Sequence, residues 1–162
     1  MELVAIGASW QYRNAGTPPA ADWNQPAFDD STWLSGPAKL GREEGNEATV
    51  LTAGTGVRWF RRHFTVAEAA RVVSLFIDLV ADDGAVVHLN GTEVVRDNLP
   101  AGVLTDATLA STYRTGTAEA TRRTFTLPTS ALVEGDNVIA VALHQASGSP
   151  DASFAARLRT GV

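Results

Sequence analysis

The chain has 162 residues, of which 44% are hydrophobic and 19% charged, and this balance is typical of a globular domain rather than a disordered segment. Its net charge of −5 argues against nucleic-acid binding, and the absence of cysteine excludes disulfides, thiolate metal sites and cysteine catalysis. No apolar run is long enough for membrane insertion as a helix, and residues 1–10 lack the basic start and cleavage site of a signal peptide.

The first third of the chain combines short alternating segments with irregular backbone. Residues 3–8 alternate and predict a first strand. Residues 14–30 contain three prolines and a glycine, which break regular structure. Residues 36–56 contain five glycines and an acidic stretch, so they predict a long loop with a single strand at 48–51.

The middle of the chain carries the clearest strand signals. Residues 59–66 and 71–80 alternate with period two, which indicates strands with at least one buried face. Residues 67–71 predict at most one helical turn. Residues 85–96 predict a hairpin, because Asn90-Gly91 supplies the two residues that a type I′ turn needs at positive φ.

The remaining segments complete an all-β pattern. Further strands are predicted at 123–127, 138–145 and 153–159, with a turn-rich stretch at 128–137. Short strands separated by Gly, Pro, Asp and Asn turns are typical of a β-sandwich. We therefore expect a jelly-roll β-sandwich of about eight or more antiparallel strands, and a single domain over 1–162 because no linker divides the chain.

The sequence contains no recognisable catalytic motif. There is no G-x-S-x-G elbow and no phosphate-binding glycine loop, and His63, His88 and His144 all lie on predicted strands. The acidic residues cluster in turns, which favour Asp for backbone reasons alone but can also hold a hard cation such as Ca²⁺. No EF-hand spacing is present. We predict no catalytic residues and hence no enzyme activity.

Aromatic residues beside irregular backbone suggest a different chemistry. A sugar has an apolar C–H face that stacks on an indole, while its hydroxyls bond to Asp, Asn, Gln or Arg. Tyr12 and Trp23 flank the proline-rich segment and are predicted to lie at the surface, whereas Trp33 is predicted to face the core. The competing interpretation is that such rings pack loops onto the sandwich, since large rings dominate core burial.

Four segments together resemble the galactose-binding-like jelly-roll family. They are ADWNQPAFDDSTWLSGPAKLG (21–41), WFRRHFTV (59–66), LFIDLVADDGAVVHLNGTEVVRDN (75–98) and LVEGDNVIAVALHQ (132–145). The resemblance runs from about residue 3 to residue 158. Members of this family occur as accessory domains of secreted glycosidases and phosphoesterases. The sugar-binding domain of family-2 glycoside hydrolases, whose catalysis lies in a separate barrel, is similar too.

The resemblance implies a non-catalytic carbohydrate-binding module, accessory to a larger exported protein and located outside the cell. Its expected partners are a glycan or polysaccharide and other domains of a parent protein, with no nucleic acid and no membrane insertion. The alternative is a structural or protein-docking module of an exported enzyme or phage tail that binds no glycan. The candidate sugar-binding residues are Tyr12, Trp23, Arg58, Trp59, His144 and Gln145.

Calcium is the expected cofactor, at one of two candidate sites. The Asp82-Asp83-Gly84 turn resembles the paired-aspartate turn of PA14 lectin domains, in which two aspartates hold Ca²⁺. The acidic loop at 41–49 is an equal competitor. The candidate metal ligands are Asp82, Asp83, Glu43, Glu44, Asn46 and Glu47.

Overall fold

The computed structural model describes residues 1–14 and 16–161. Its strands are β1 (Glu2–Val4), β2 (Ser9–Arg13), β3 (Leu34–Pro37), β4 (Leu40–Arg42), β5 (Thr49–Val50), β6 (Arg58–Val66), β7 (Leu75–Asp82), β8 (Gly84–Leu89), β9 (Thr92–Asp97), β10 (Arg123–Leu127), β11 (Gly135–His144) and β12 (Ala152–Thr160). Among these described residues, helical structure is confined to α1 (Thr117–Ala120) and two single 3₁₀ turns at Ala69–Arg71 and Thr129–Ala131. Within the described residues no helix is both long and apolar enough to cross a bilayer.

The strands form two six-stranded sheets. Sheet A has the order β10-β7-β12-β4-β5, with β1 added against β12, and sheet B has the order β3-β2-β6-β11-β8-β9. The β4–β5 pair is parallel and the other pairs are antiparallel. The predicted all-β sandwich is therefore confirmed.

The core lies between the inner faces of the two sheets. On β6 the residues Phe60, Phe64 and Val66 are buried in it, as their alternation predicted. The rings of Phe60 and Phe154 stack at a centroid distance of 4.2 Å, and Trp10 meets Phe154 edge-on at 5.0 Å. Such aromatic pairs add about 0.5–1.5 kcal/mol each beyond their buried area and join sheet B to sheet A.

The N-terminal strand prediction is wrong in its extent. A strand at 3–8 was expected, but β1 ends at Val4, and Ser9–Arg13 forms a second strand in the other sheet. Alternation along β2 turns Trp10 and Tyr12 toward the core, so Tyr12 is only 8% exposed and its predicted surface position is wrong. The prediction that Trp33 faces the core is also wrong: Trp33 is partly buried, packs edge-on against Phe28 and lies against a small apolar cluster separate from the core.

The β8–β9 hairpin agrees with the sequence. Asn90 and Gly91 have φ values of 50° and 83°, as a type I′ turn requires. The Asn90 side chain donates to the carbonyl of Ala131 and accepts from the amide of Val138, which ties the turn to β11. The hairpin therefore presents the outer-facing residues of β8 and β9 in a defined register.

The chain passes from sheet A to sheet B at Asp83, a single residue between β7 and β8. On β7, Leu79 and Ala81 face the core, so Asp82 points to the outer face of sheet A. Its register partner on β12 is Ser153, which lies on the same face. Although outward-facing, both residues are completely buried, and α1 packs against β7.

Candidate functional site

A cleft lies on the outer face of sheet B, beneath the segments 18–24 and 102–106. Its volume is about 450 Å³. We call it the outer cleft, and its lining residues are Pro18, Pro19, Ala21, Trp23, Asn24, Val57, Trp59, Val86, His88, Glu93, Arg96, Gly102, Val103, Leu104, Thr105, Asp106, Ala142 and His144. The strand residues among them come from β6, β8, β9 and β11, whose opposite faces build the core.

Two indoles and an imidazole form the aromatic part of the outer cleft. Trp59 is 4% exposed and belongs to a small apolar cluster with Val86 and Ala142 on the outer face of sheet B. Trp23 packs on this cluster and meets the His88 ring edge-on, with centroids 5.7 Å apart. The aromatic groups are thus supported by the sheet and do not stand free in a loop.

Arg61 positions the segment that carries Trp23. Its guanidinium, which is completely buried, donates to the carbonyls of Trp23 at 2.5 Å and Gln25 at 3.0 Å. It also donates to the Asp30 carboxylate at 2.8 Å and lies 5.1 Å from the centre of the Phe28 ring. A buried charge with this many partners holds the 23–30 segment against the sheet.

A charged pair occupies the opposite side of the outer cleft. Arg96 donates to both carboxylate oxygens of Glu93, at 2.7 and 2.9 Å, and this bonding lowers the pKa of the Glu93 carboxyl. The same guanidinium donates to the carbonyls of Pro100 and Gly102 at 2.8 and 2.7 Å. Arg96 thereby fixes the loop that forms this wall and leaves ordered charged groups at the rim.

Burial lowers the pKa of His88 and of His144, the two histidines of the outer cleft, and so favours their neutral forms. His144 Nδ1 lies 2.7 Å from the carbonyl oxygen of Thr108. Since a carbonyl only accepts, Nδ1 carries the proton and Nε2 is left as an acceptor. Neutral imidazoles of this kind can hydrogen-bond to hydroxyl groups without carrying charge.

The structure places three of the six predicted sugar-binding residues in the outer cleft: Trp23, Trp59 and His144. Tyr12 lies elsewhere, beside a shallow depression that also contains Trp33. Arg58 is buried and donates to the carbonyls of Thr52 and Gly54, at 3.1 and 2.9 Å.

Gln145 is also buried outside the cleft, and its amide donates to the Ser149 hydroxyl and the Asp151 carbonyl.

Sequence reasoning missed the polar members of the outer cleft. Alternation puts His88 on the same face of β8 as Val86, but alternation does not reveal which face is the outer one. The residues missed are Asn24, His88, Glu93, Arg96 and Asp106.

One of the two candidate calcium sites, the 41–49 loop, contributes Glu44 to a group of neighbouring carboxylates beside sheet A. Carboxylate oxygens of Glu44, Glu119 and Asp151 lie within 4.8 Å of one another. Burial, followed by the neighbouring Asp83, Asp151 and Glu119 carboxylates, raises the pKa of Asp82 to about 9. We call Glu44, Glu119 and Asp151 the carboxylate cluster; Asp82 is close enough to feel the charge of Glu119 and Asp151 but is not part of this group. Glu119 and Asp151 were not predicted, because they stand alone in distant segments without a motif.

Asp83 does not share the environment of Asp82. Both of its carboxylate oxygens are used by buried backbone amides, those of Arg114 and Ala146, each at 2.7 Å. The neighbouring Arg114 guanidinium pairs with Asp97 at 2.7 Å. Asp83 therefore has a structural role in this arrangement, joining the crossing between the sheets to two loops.

The other predicted ligands in the 41–49 loop are engaged within the loop. Glu47 accepts the amides of Glu44 and Gly45, and Asn46 accepts from Lys39. Glu43 is half-exposed and pairs with Arg42. Of the six predicted metal ligands, Glu44 is thus the one that joins the carboxylate cluster.

No protein-family model and no curated protein matches the chain. Solved structures share its fold. A Bacteroides uniformis beta-glucuronidase matches 94% of the chain with 19% identity and a TM-score of 0.63, over 17% of its own length. A Bifidobacterium dentium beta-glucuronidase complexed with coumarin-3-O-glucuronide matches 89% with 21% identity and a TM-score of 0.55, over 20% of its length.

A glycosyl hydrolase family 2 member from Bacteroides cellulosilyticus matches 98% of the chain with 16% identity and a TM-score of 0.59, again over 20% of its length. The chain thus spans about a fifth of the solved structures that it matches. Its fold is that of a small β-sandwich domain such as these glycosidases contain.

Proposed function

We propose that the chain is a non-catalytic carbohydrate-binding domain, accessory to a larger exported protein, and that the glycan binds in the outer cleft. The observation that supports this most directly is the composition of the cleft. Trp59 on the sheet and Trp23 packed against it lie together with two imidazoles and an ordered Glu93–Arg96 pair. Its volume of about 450 Å³ falls within the range of about 300–1,000 Å³ usual for ligand sites.

The chemistry of a sugar fits these groups. The C–H face of a pyranose ring packs on Trp23, because both surfaces are apolar and flat. Its hydroxyls then meet Glu93 as an acceptor and Arg96 as a donor, and the amide of Asn24 can serve as either. Since Arg61 and Arg96 already hold the two walls, little ordering entropy is lost on binding.

The structural comparisons support the accessory role, because the chain matches only about a fifth of the length of each enzyme, and both enzymes are named as beta-glucuronidases. An extracellular location accompanies this proposal, as in the secreted enzymes whose accessory domains the sequence resembles. The proposal also includes a bound Ca²⁺ remote from the sugar site, so the domain is lectin-like without requiring the ion for glycan contact.

A glycan array run in calcium and again in EDTA tests the proposal. We expect binding in both conditions, because the outer cleft and the carboxylate cluster lie on different sheets. If the folded protein binds no glycan in either condition, this result would contradict glycan binding and favour the docking alternative. Hydrolysis of a glycoside by this chain, abolished by a single acidic or histidine substitution, would contradict the non-catalytic assignment.

A pair of tryptophan variants tests the position of the site. Trp23→Ala removes the stacking surface, and we expect glycan affinity to fall at least tenfold by titration calorimetry. Phe76→Ala is the matched control, because Phe76 is also a partly buried aromatic residue but lies on β7 in the other sheet. Equal losses in the two variants would show that the outer cleft is the wrong site.

A further inference from the structure

The charged side chains that line the outer cleft offer an anionic ligand no unmatched cation. Among the lining residues that the structure describes, Arg96 is the one lysine or arginine. Its guanidinium donates to both carboxylate oxygens of Glu93 and to the carbonyls of Pro100 and Gly102, which occupies all but one of its N–H groups. Asp106 adds a second carboxylate to the lining. The positive charge of Arg96 is thus already balanced by Glu93, and Asp106 leaves the cleft with an excess of carboxylate.

The buried polar group of the outer cleft is a hydrogen-bond acceptor. His144 is 2% exposed, and its Nδ1 donates to the carbonyl of Thr108 at 2.7 Å. The proton on Nδ1 leaves a lone pair on Nε2, which has no hydrogen-bond partner among the described residues. Burial and, to a smaller extent, the charge of Arg96 lower the pKa of His144 and favour this neutral form. A ligand group that meets Nε2 must therefore donate a proton.

A hydroxyl and a carboxylate of a sugar differ in what they bring to this cleft. A hydroxyl both donates and accepts, whereas an ionised carboxylate only accepts. A hydroxyl therefore satisfies His144 Nε2, while a carboxylate places a second lone pair against it. A carboxylate would also lie beside Glu93 and Asp106. Removal of a charge from water without a partner of opposite charge is strongly unfavourable, so an anionic sugar is penalised on all three counts.

We infer that the outer cleft takes uncharged sugars and discriminates against anionic sugars, uronic acids among them, with His144 Nε2 as the acceptor of a sugar hydroxyl. This specificity rests on the proposed function, since it states which glycans the same cleft takes. It comes from repulsion of the wrong ligand as much as from contact with the right one. The Glu93–Arg96 pair serves both purposes, because it presents polar groups to hydroxyls while its charges cancel.

Matched glycans that differ in charge alone test this specificity. An array carries neutral hexose oligosaccharides, each beside the form in which every C6 hydroxyl has been oxidised to a carboxylate, and titration calorimetry measures the affinity of the pairs that bind. We expect the neutral member of a pair to bind about tenfold or more tightly than its oxidised partner. Equal or tighter binding of the oxidised member would overturn the inference and leave the proposed function standing. If the folded protein binds neither class of glycan, both are overturned.

A pair of variants tests the charge argument. Glu93→Gln keeps an acceptor oxygen in the cleft but leaves the charge of Arg96 unbalanced, so we expect the preference for the neutral glycan to fall about threefold or more. Glu2→Gln is the matched control, because Glu2 also pairs with an arginine, Arg157, but lies on β1 in the other sheet. Both changes remove one negative charge from the chain. An unchanged preference in Glu93→Gln, or an equal fall in Glu2→Gln, would overturn the role of the Glu93–Arg96 pair and with it the inference.

Discussion

Replacement of Asp83 by alanine is expected to be among the most damaging single changes in this chain. The Asp83 carboxylate is completely buried and accepts the amides of Arg114 and Ala146, each at 2.7 Å. It also occupies the crossing from β7 to β8, where the chain leaves one sheet for the other. Its removal therefore leaves two buried backbone donors without an acceptor at a position that cannot easily rearrange.

The size of the effect follows from these two bonds. Each buried donor left unmatched costs about 1–3 kcal/mol, so Asp83→Ala should lower the free energy of unfolding by about 2–6 kcal/mol. Asp83→Asn keeps one acceptor oxygen and replaces the other with an NH₂ donor. It is expected to lose about 1–3 kcal/mol, because one of the two amides remains unmatched.

Urea unfolding followed by tryptophan fluorescence, carried out in EDTA so that no cation contributes, measures both losses. Asp106→Ala is the control, since Asp106 is exposed and surface changes usually stay within about 0.5 kcal/mol. A loss below about 1 kcal/mol for Asp83→Ala, or one equal to that of Asp106→Ala, would refute the reasoning. If Asp83→Ala fails to fold, Asp83→Asn gives the measurable value.

Three further predictions concern the outer cleft and its supports. Arg61→Ala breaks the buried pair with Asp30, so unfolding by urea should show a loss of about 3–5 kcal/mol; a loss below about 1 kcal/mol would contradict this role for Arg61. Burial lowers the pKa of the His88 imidazole in the folded chain below its ordinary value of 6.5. The resulting contribution to the free energy of unfolding is complete above pH 6.5. It is lost as the pH falls through the lower pKa of the folded state. Urea titrations from pH 8 to pH 5 should therefore show wild-type stability falling more steeply than that of His88→Gln, and parallel curves would exclude this effect. Gly91→Ala should cost about 1–2 kcal/mol for positive φ and little more, because its Cβ would meet only the terminal amide of the exposed Gln25 side chain, which can move away. Gly102→Ala, also at positive φ but with nothing within 4 Å, should lose a similar amount in thermal unfolding, and a markedly larger loss for Gly91→Ala would contradict this reasoning.

The fold class was predictable from local pattern, because period-two alternation and turn chemistry act over a few residues. The Asn90-Gly91 hairpin and the inward face of β6 are confirmed in detail for this reason. The N-terminal strand was placed wrongly, since the alternation at 3–8 continues into Ser9–Arg13 and nothing local marks where the chain changes sheet. Tyr12 consequently faces the core, although its proline-rich neighbours suggested a loop.

The sequence by itself determined the all-β sandwich, the central hairpin and the acidic character of the 41–49 and 82–83 segments. Only the tertiary structure decided which acids meet, because Glu44 comes together with Glu119 and Asp151, two acids from distant segments, where α1 docks on sheet A. The outer cleft has the same origin, since Trp23 reaches Trp59 only through the bonds that Arg61 makes to its loop. Sites assembled across sheets depend on strand register and long-range contacts, and neither of these produces a sequence motif with a fixed spacing.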